Sequence, residues 1–124
     1  MANSGFKPFG NAGMLRATFD TTGTENLRNA FGSSRIGSWR LQIVPGGADP
    51  GTLTFQERLH GSELSGSNWL DLIFYDDSTS TVQAAGTSVS TAKILTVVAD
   101  RADIQVTYAS GADGMTVYAT PLLG

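Results

Sequence analysis

The sequence predicts an all-β protein, folded as a single β-sandwich or barrel domain. Several short segments alternate apolar and polar residues, which is the period of a β-strand. Clusters of glycine, proline and aspartate separate these segments and predict tight turns. No stretch carries a convincing helical period over about ten residues or more. The length of 124 residues suits one domain with one core. A jelly roll is one form of the sandwich, and the pattern alone does not choose the strand order.

The first clear strand is predicted over Ser38–Val44, which reads SWRLQIV. Trp39, Leu41 and Ile43 alternate with polar residues, so they occupy one face of the strand. The Pro-Gly-Gly sequence at residues 45–47 then ends it.

A second strand is predicted over Thr52–Leu59 (TLTFQERL), directly after a Pro-Gly turn signal. Leu53, Phe55 and Leu59 share one face of this strand. Glu57 has the same parity, so we expect its side chain to point inward near the strand end, unless a bulge shifts it.

Five further strands are predicted in the second half of the chain. A near-continuous apolar run predicts a central strand, and a weaker strand follows it. The last two strands are separated by a short glycine-rich segment, so we expect them to form a hairpin. The five segments are Trp69–Tyr75, Thr81–Ala84, Lys93–Val98, Asp103–Tyr108 and Met115–Thr120.

One short turn of helix is predicted at Thr24–Phe31, which reads TENLRNAF. Thr24 is a residue type that caps helices, and Leu27 and Phe31 would then face inward together.

The first thirteen residues show no period and cannot form a core of their own. We therefore divide the chain into an extended N-terminal arm at residues 1–13 and a β-domain at residues 14–124. Phe6, Pro8 and Phe9 lie in the arm. Disordered tails are usually poor in aromatic residues, so we expect this arm to dock, either on another protein or back on its own domain.

The other end of the chain is also apolar. Leu122 and Leu123 follow Pro121, which stops the last strand. Apolar ends of this kind fit a protein built into an assembly, where they contact neighbouring subunits.

The composition excludes several classes of function. The absence of cysteine excludes disulfides, thiolate metal sites and cysteine nucleophiles. The net charge is −3 and the 8 lysines and arginines are scattered, whereas nucleic-acid binding needs a clustered basic footprint. No segment has the length or apolarity of a membrane span or a signal peptide, so we expect synthesis in the cytoplasm and no membrane partner. Only 15% of residues are charged, which suits a surface that lies against other protein.

A search for catalytic residues gives no enzyme hypothesis, and we expect no cofactor and no bound metal. The only histidine, His60, lies three residues after Glu57, at a strand end where a solvated side chain is the simpler interpretation. Asp76-Asp77 are adjacent in a turn and would point to opposite faces. The glycines at 46–47 and 111–114 open no helix and carry no Gly-Lys-Ser/Thr sequence, so they are turn residues.

A carbohydrate platform is the remaining binding site to consider. Trp69 opens its strand and is the aromatic residue expected at an edge of the sandwich, where it could contact a glycan. Trp39 has apolar parity and is expected in the core.

The order of segments in the second half resembles small β-sandwich structural proteins of tailed-bacteriophage virions. The resemblance is carried by GTLTFQ, GSNWLDL, KILTVVADRADIQVTYASG and MTVYATP, and it covers residues 51–121. These motifs are strand and turn chemistry, with no catalytic signature. Residues 23–45 and the N-terminal arm depart from the pattern.

The resemblance implies a virion protein made in the host cytoplasm, and within that class a head decoration (cement) protein. Such a protein binds the lattice of the major capsid protein as a homo-oligomer, with a trimer favoured over a dimer, and stabilises the capsid. Phe6, Pro8, Phe9, Leu122 and Leu123 would then be interface residues. The alternatives are a tail-fibre or baseplate domain that binds a host-surface carbohydrate through Trp69, a free carbohydrate-binding module, and an enzyme that uses His60.

Overall fold

The computed structural model describes residues 3–10, 14–27, 38–59, 69–98 and 102–121. These residues form eleven strands and contain no helix, and so no helix that could cross a membrane. The strands are β1 (Ser4–Phe9), β2 (Met14–Phe19), β3 (Gly23–Leu27), β4 (Ser38–Pro45), β5 (Thr52–Leu59), β6 (Leu70–Asp71), β7 (Phe74–Asp76), β8 (Thr81–Gln83), β9 (Lys93–Val98), β10 (Ala102–Ala109) and β11 (Met115–Pro121).

The strands make two antiparallel sheets, which confirms the all-β prediction. The larger sheet has seven strands in the order β1-β2-β11-β4-β9-β7-β8. The smaller has four, in the order β3-β10-β5-β6. Every pair of neighbouring strands runs antiparallel.

The two sheets share one hydrophobic core. Apolar side chains alternate along β2, β4, β9 and β11 of the larger sheet, and along β5 and β10 of the smaller one, so each sheet buries one face. Aromatic pairs join the sheets: the ring centroids of Phe19 and Tyr108 are 5.2 Å apart, and those of Phe55 and Phe74 are 5.5 Å apart. The arrangement is sandwich-like, with one apolar layer between two sheets.

The predicted strands at Ser38–Val44 and Thr52–Leu59 are confirmed. Trp39, Leu41 and Ile43 are buried, and so are Leu53 and Phe55, which follows from their alternation with polar residues. Glu57 shares this parity but is only half-buried. It lies near the end of β5, opposite Leu70 of the short edge strand β6.

The apolar run from Trp69 to Tyr75 is not one central strand, and that prediction is wrong. Leu70–Asp71 pairs with β5 in the smaller sheet, whereas Phe74–Asp76 pairs with β8 and β9 in the larger sheet. Between them the chain crosses from one sheet to the other. Leu72 anchors the crossing, because it is buried and its N–H donates to the Phe55 carbonyl at 2.9 Å.

The predicted hairpin between the last two strands is also wrong. β10 lies at the centre of the smaller sheet and β11 at the centre of the larger, so residues 110–114 cross between the sheets. Gly114 sits in this connection with φ of 70°. A Cβ atom there would lie 2.7 Å from the Phe19 carbonyl oxygen, so both the conformation and the close approach require glycine.

The predicted helical turn at Thr24–Phe31 is wrong over the residues that the structure describes. Residues 23–27 form β3, which pairs with β10 and places Leu27 opposite Ile104. Leu27 is buried, as expected of an inward side chain, but it is held by a strand. Phe31 lies outside the described residues.

An extended arm at residues 1–13 is not confirmed. Ser4–Phe9 forms β1, an edge strand of the larger sheet that pairs with β2. The register shifts between Ser4 and Lys7, as in a β-bulge. Phe6 lies within this irregular part and packs edge-on against Phe19, with ring centroids 6.3 Å apart, so the segment adds to the core.

Candidate functional site

The outer face of the seven-stranded sheet carries a shallow groove of about 330 Å³. The strands β2, β4, β9 and β11 form its floor, and it is lined by outward residues of these strands together with Leu41, whose side chain is buried in the core. We call this surface the outer groove. It is lined by Met14, Arg40, Leu41, Gln42, Ile94, Tyr118 and Thr120.

Strand register brings the groove residues together. In one cross-strand row, Arg16 lies opposite Tyr118, Tyr118 opposite Gln42, and Gln42 opposite Ile94. Arg40 lies two residues from Gln42 on the same strand, and therefore on the same face. Side chains from four strands are thus neighbours, although they are far apart in the sequence.

Edge strand β1 adds an aromatic residue beside the groove. Phe9 is 38% exposed, and its ring centroid lies 5.5 Å from that of Tyr118. The guanidinium carbon of Arg16 lies 4.2 Å from the centre of the Phe9 ring, a cation–π distance. Phe9, Tyr118 and Arg16 therefore form a cluster of ring and cation–π contacts beside one end of the outer groove.

The structure separates the interface residues predicted near the N-terminus. Phe9 lies beside the outer groove, and Pro8 is exposed next to it. Phe6 packs instead on the core through Phe19. Leu122 and Leu123 lie outside the described residues.

Arg40 carries the groove's positive charge at its other end. Its Nε lies 3.5 Å from Oδ2 of Asp77, and its side chain is 54% exposed. The same Asp77 oxygen accepts a hydrogen bond of 2.9 Å from the hydroxyl of Thr96. An ion pair this exposed contributes little to stability, so Arg40 is positioned by Asp77 without being neutralised in a buried site.

The neighbouring carboxylates of Asp76 and Asp77 lie in different environments, so they do not form a pair that flanks one substrate bond. Asp76 is buried, accepts a hydrogen bond of 2.8 Å from Lys93 Nζ, and accepts another of 2.9 Å from the Ser78 N–H. The hydrogen bond from Lys93 lowers the pKa of the Asp76 carboxyl, against the opposing effect of burial. Asp77 faces the other way, towards Arg40 and Thr96, as the sequence predicted for adjacent residues.

The other candidate chemical residues are not brought together. His60 lies outside the described residues, and Glu57 is half-buried at the edge of the smaller sheet. The N–H of Gly46 donates to the Gly114 carbonyl at 2.8 Å, so the two glycine-rich segments brace each other as turns. Across the described ranges, no group of three or more acidic or histidine side chains could hold a metal ion.

Trp69 lies at the edge of the smaller sheet, where the sequence placed it. The indole is half-buried, and the guanidinium carbon of Arg58 lies 4.4 Å from the ring centre. The Arg58 guanidinium therefore already lies against the Trp69 ring, which is the ring that the glycan hypothesis requires.

The outer face of the smaller sheet has a different character. Gln56 accepts hydrogen bonds from Thr107 at 2.8 Å and from Gln105 at 3.3 Å, and it donates to Asp71 at 3.4 Å. The side chains of this network are therefore hydrogen-bonded to one another. The outer face of the smaller sheet therefore carries this threonine and glutamine network together with the Trp69–Arg58 pair, whereas the outer groove of the larger sheet carries Arg40 and Tyr118.

Sequence reasoning missed the outer groove. It found Phe9 through the aromatic content of the N-terminal segment, but it treated Arg40 and Gln42 only as the polar side of a strand. A local signal was present in Ile94, an apolar residue on the outward parity of β9 that is 37% exposed. The groove residues become neighbours because β4 pairs with both β9 and β11. Alternation within one strand does not show which strands pair.

Comparison with known proteins gives no relative: no protein-family model, no curated protein and no solved structure matches this chain.

Proposed function

We propose that this protein is a structural component of a bacteriophage virion that binds the assembled head and stabilises it, as a decoration or cement protein. Its fold would be a β-sandwich whose seven-stranded sheet presents the outer groove to the capsid lattice. The proposal rests on the sequence resemblance and on one structural observation, the outer groove with Phe9, Arg16 and Tyr118 at one end and the exposed Arg40 at the other. Aromatic residues and arginine are enriched in the energetically dominant parts of protein interfaces.

The proposed mechanism is mass action. A subunit that binds the assembled lattice, and not its dissociated parts, stabilises the lattice by about 2.7 kcal/mol per site at a hundred times its Kd. A homo-oligomer seated on a symmetry axis would bind through several grooves at once and gain avidity. We favour a trimer, with a dimer as the alternative, and the major capsid protein as the partner.

The interface residues of this proposal differ from those expected at first. Phe9 and Pro8 stay in the interface, and Leu122 and Leu123 remain proposed contacts. Phe6 supports the fold through the core and is removed from the interface. Arg16 and Tyr118 are added, because both contact the exposed Phe9 ring on the outer face.

The proposal is tested on particles from the source lysate. Gold-labelled antibody against the purified protein should mark the heads evenly, and the protein should co-sediment with stripped heads. The double variant Phe9→Ala/Tyr118→Ala should raise the Kd for heads about tenfold or more, since truncating a central interface aromatic residue typically costs 2 kcal/mol or more.

The matched control is Trp69→Ala, which removes an aromatic ring from the smaller sheet. Its affinity for heads should stay unchanged. Label that is absent from heads, or equal loss of binding in the control, would refute head decoration through this face.

The second candidate function is a tail-fibre or baseplate domain that binds host-surface carbohydrate. The half-buried Trp69 ring, stacked with Arg58 beside a threonine- and glutamine-rich face, is the feature that favours it. In that case the label should concentrate at the tail tip, and Trp69→Ala should abolish binding to a glycan array that the wild-type protein recognises.

A further inference from the structure

We infer that the outer groove takes an extended, acidic segment of its protein partner, in which two carboxylates engage Arg16 and Arg40 and apolar side chains lie between them. This inference rests on the proposed function, since it specifies the chemistry of the partner's surface. It commits to an acidic peptide segment as the occupant of the groove.

The outer face of the larger sheet carries positive side chains, although the chain as a whole is negatively charged. The chain has a net charge of −3, yet the outer face brings together Lys7, Arg16 and Arg40. Lys7 and Arg16 are exposed and lie opposite each other in the register of β1 and β2. Within the described part of the chain, Asp77 is the one carboxylate that contacts any of these three cations.

Several acidic side chains of the described residues lie elsewhere. Asp76 is buried against Lys93, and Asp71 belongs to the polar network of the smaller sheet. Asp49 and Asp113 face each other's loops at one end of the molecule, where each carboxylate accepts a backbone N–H: Asp113 from Asp49 at 2.8 Å, and Asp49 from Ala112 at 3.0 Å. The positive outer face therefore complements an acidic partner, and this distribution also disfavours a basic one.

Both arginines retain donors for a carboxylate. Arg40 contacts Asp77 through Nε, and no contact of its two terminal nitrogens is found among the described residues. The guanidinium carbon of Arg16 lies 4.2 Å from the centre of the Phe9 ring, and no hydrogen bond or ion pair of this group is found among the described residues. A planar guanidinium held in this way suits paired hydrogen bonds to a carboxylate.

Strand geometry sets the spacing of the two arginines. Arg16 is on β2 and Arg40 on β4, with β11 between them, and they are offset by two residues along the strands. Strand spacing and rise then place their Cα atoms about 12 Å apart. In an extended peptide, side chains four residues apart lie on one face at about 13 Å. Two carboxylates at that separation match the pair.

The floor between the arginines is suited to an apolar side chain. Tyr118 and Thr120 of β11 lie between them, opposite Arg16 and Arg40 respectively, and Met14 and Ile94 also line the groove. The peptide residue midway between the two carboxylates points to the same face, so it would lie over Tyr118 and Thr120.

The test is a titration of the full-length, ¹⁵N-labelled protein with a synthetic peptide of about nine residues, built from threonine and valine, with two glutamates four residues apart. The matched peptide carries glutamine at both positions. We expect the acidic peptide to shift the amide signals of Arg16, Gln42 and Tyr118 and to bind about tenfold more tightly than the glutamine peptide, since charge-assisted hydrogen bonds are about twice as strong as neutral ones.

Variants of the protein complete the test. Arg40→Gln should raise the Kd of the acidic peptide about fivefold or more and bring it close to that of the glutamine peptide. Arg58→Gln, which removes the same charge from the smaller sheet, should leave the Kd unchanged. Equal binding of the two peptides, signal shifts on the other sheet, or no saturable shift at millimolar peptide would each overturn the inference.

Failure here is distinguishable from failure of the proposed function. If heads still bind the protein and lose it in the Phe9→Ala/Tyr118→Ala variant, while the acidic peptide does not bind, then head decoration stands and the acidic partner is wrong. If the acidic peptide binds in the groove but heads do not, the groove is a peptide site for a different partner.

Discussion

Asp76 and Asp77 are adjacent residues whose carboxylates lie in opposite environments. Asp76 is buried and bound by Lys93, whereas Asp77 lies on the outer face with Thr96 and the exposed Arg40. The first pair belongs to the interior and contributes to stability. The second positions Arg40 at the outer groove. One peptide bond thus separates a structural carboxylate from one that shapes the proposed binding surface.

Stability should depend on the protonation of Asp76. Because Lys93 lowers the pKa of this carboxyl in the folded protein, the ionised form favours folding. This contribution is fully present above the unfolded-state value near 3.8 and is lost as the pH falls through the lower, folded-state value. Chemical denaturation followed from pH 7 down to about pH 2 should therefore show the wild-type free energy of unfolding falling below about pH 4.

The variant Asp76→Asn should lower the free energy of unfolding at pH 7 by about 2–3 kcal/mol, because it leaves the mostly buried Lys93 without its anion. It should also flatten the acid limb of the profile. Asp77→Asn is the matched control, and it should cost less than about 1 kcal/mol, because the partner of Asp77 is the exposed Arg40. Equal effects of the two substitutions would contradict the distinction between Asp76, whose partner Lys93 is mostly buried, and Asp77, whose partner is exposed.

At the scale of the strand, local alternation was sufficient to predict β4, β5 and β10, because each buries one face and leaves the other more exposed. It failed where apolar residues are not all inward. In the Trp69–Tyr75 run, Leu70 is 72% exposed and Ile73 is 52% exposed, while Leu72 and Phe74 are buried. Such a run has the composition of a central strand, although the chain is in fact crossing between sheets.

Strand pairing was beyond the reach of local patterns. β10 and β11 are separated by a short glycine-rich segment, which is also what a hairpin would contain. The segment instead carries the chain across the core, held by the buried Tyr108 hydroxyl, which donates to the Pro50 carbonyl at 2.6 Å. The same limit explains why the sequence analysis singled out Phe9 but not Arg16, Arg40 or Tyr118, since strand pairing places those three on one face.

β1 is expected to stabilise the fold as well as to carry Phe9. Deleting residues 2–12 removes Phe6 from the core and exposes the backbone edge of β2. We expect a loss of about 2 kcal/mol or more in the free energy of unfolding, measured by urea denaturation, on the scale of a large-to-small substitution at a partly buried site.

Point variants separate the two roles of β1. Phe6→Ala should lower stability without changing the binding of heads at a temperature where the variant is folded. Phe9→Ala should weaken the binding of heads. It should change the free energy of unfolding by less than about 1 kcal/mol, since its ring is partly exposed. A deletion that unfolds at the same urea concentration as the full chain would show that β1 does not contribute to the fold.

At the scale of the whole molecule, the two sheets bury their inner faces against each other and leave two unlike outer faces. Aromatic contacts connect the two sheets across the core, between Phe19 and Tyr108 and between Phe55 and Phe74. Neither sheet could bury its apolar face alone. The positive outer groove therefore lies on the larger sheet, and the rigidity of that sheet depends on its packing against the smaller one. This dependence can be measured.

Unfolding should be a single cooperative transition. In a Trp69→Phe variant, the remaining Trp39 is buried in the larger sheet and reports on it by fluorescence, while far-UV circular dichroism reports on both sheets. The two midpoints in urea should coincide. Adding Phe55→Leu, on the smaller sheet, should lower both midpoints together, by a destabilisation of about 1 kcal/mol. If the Trp39 signal kept its midpoint while circular dichroism lost part of its amplitude earlier, the sheets would be unfolding separately. The groove would then not depend on the smaller sheet for its support.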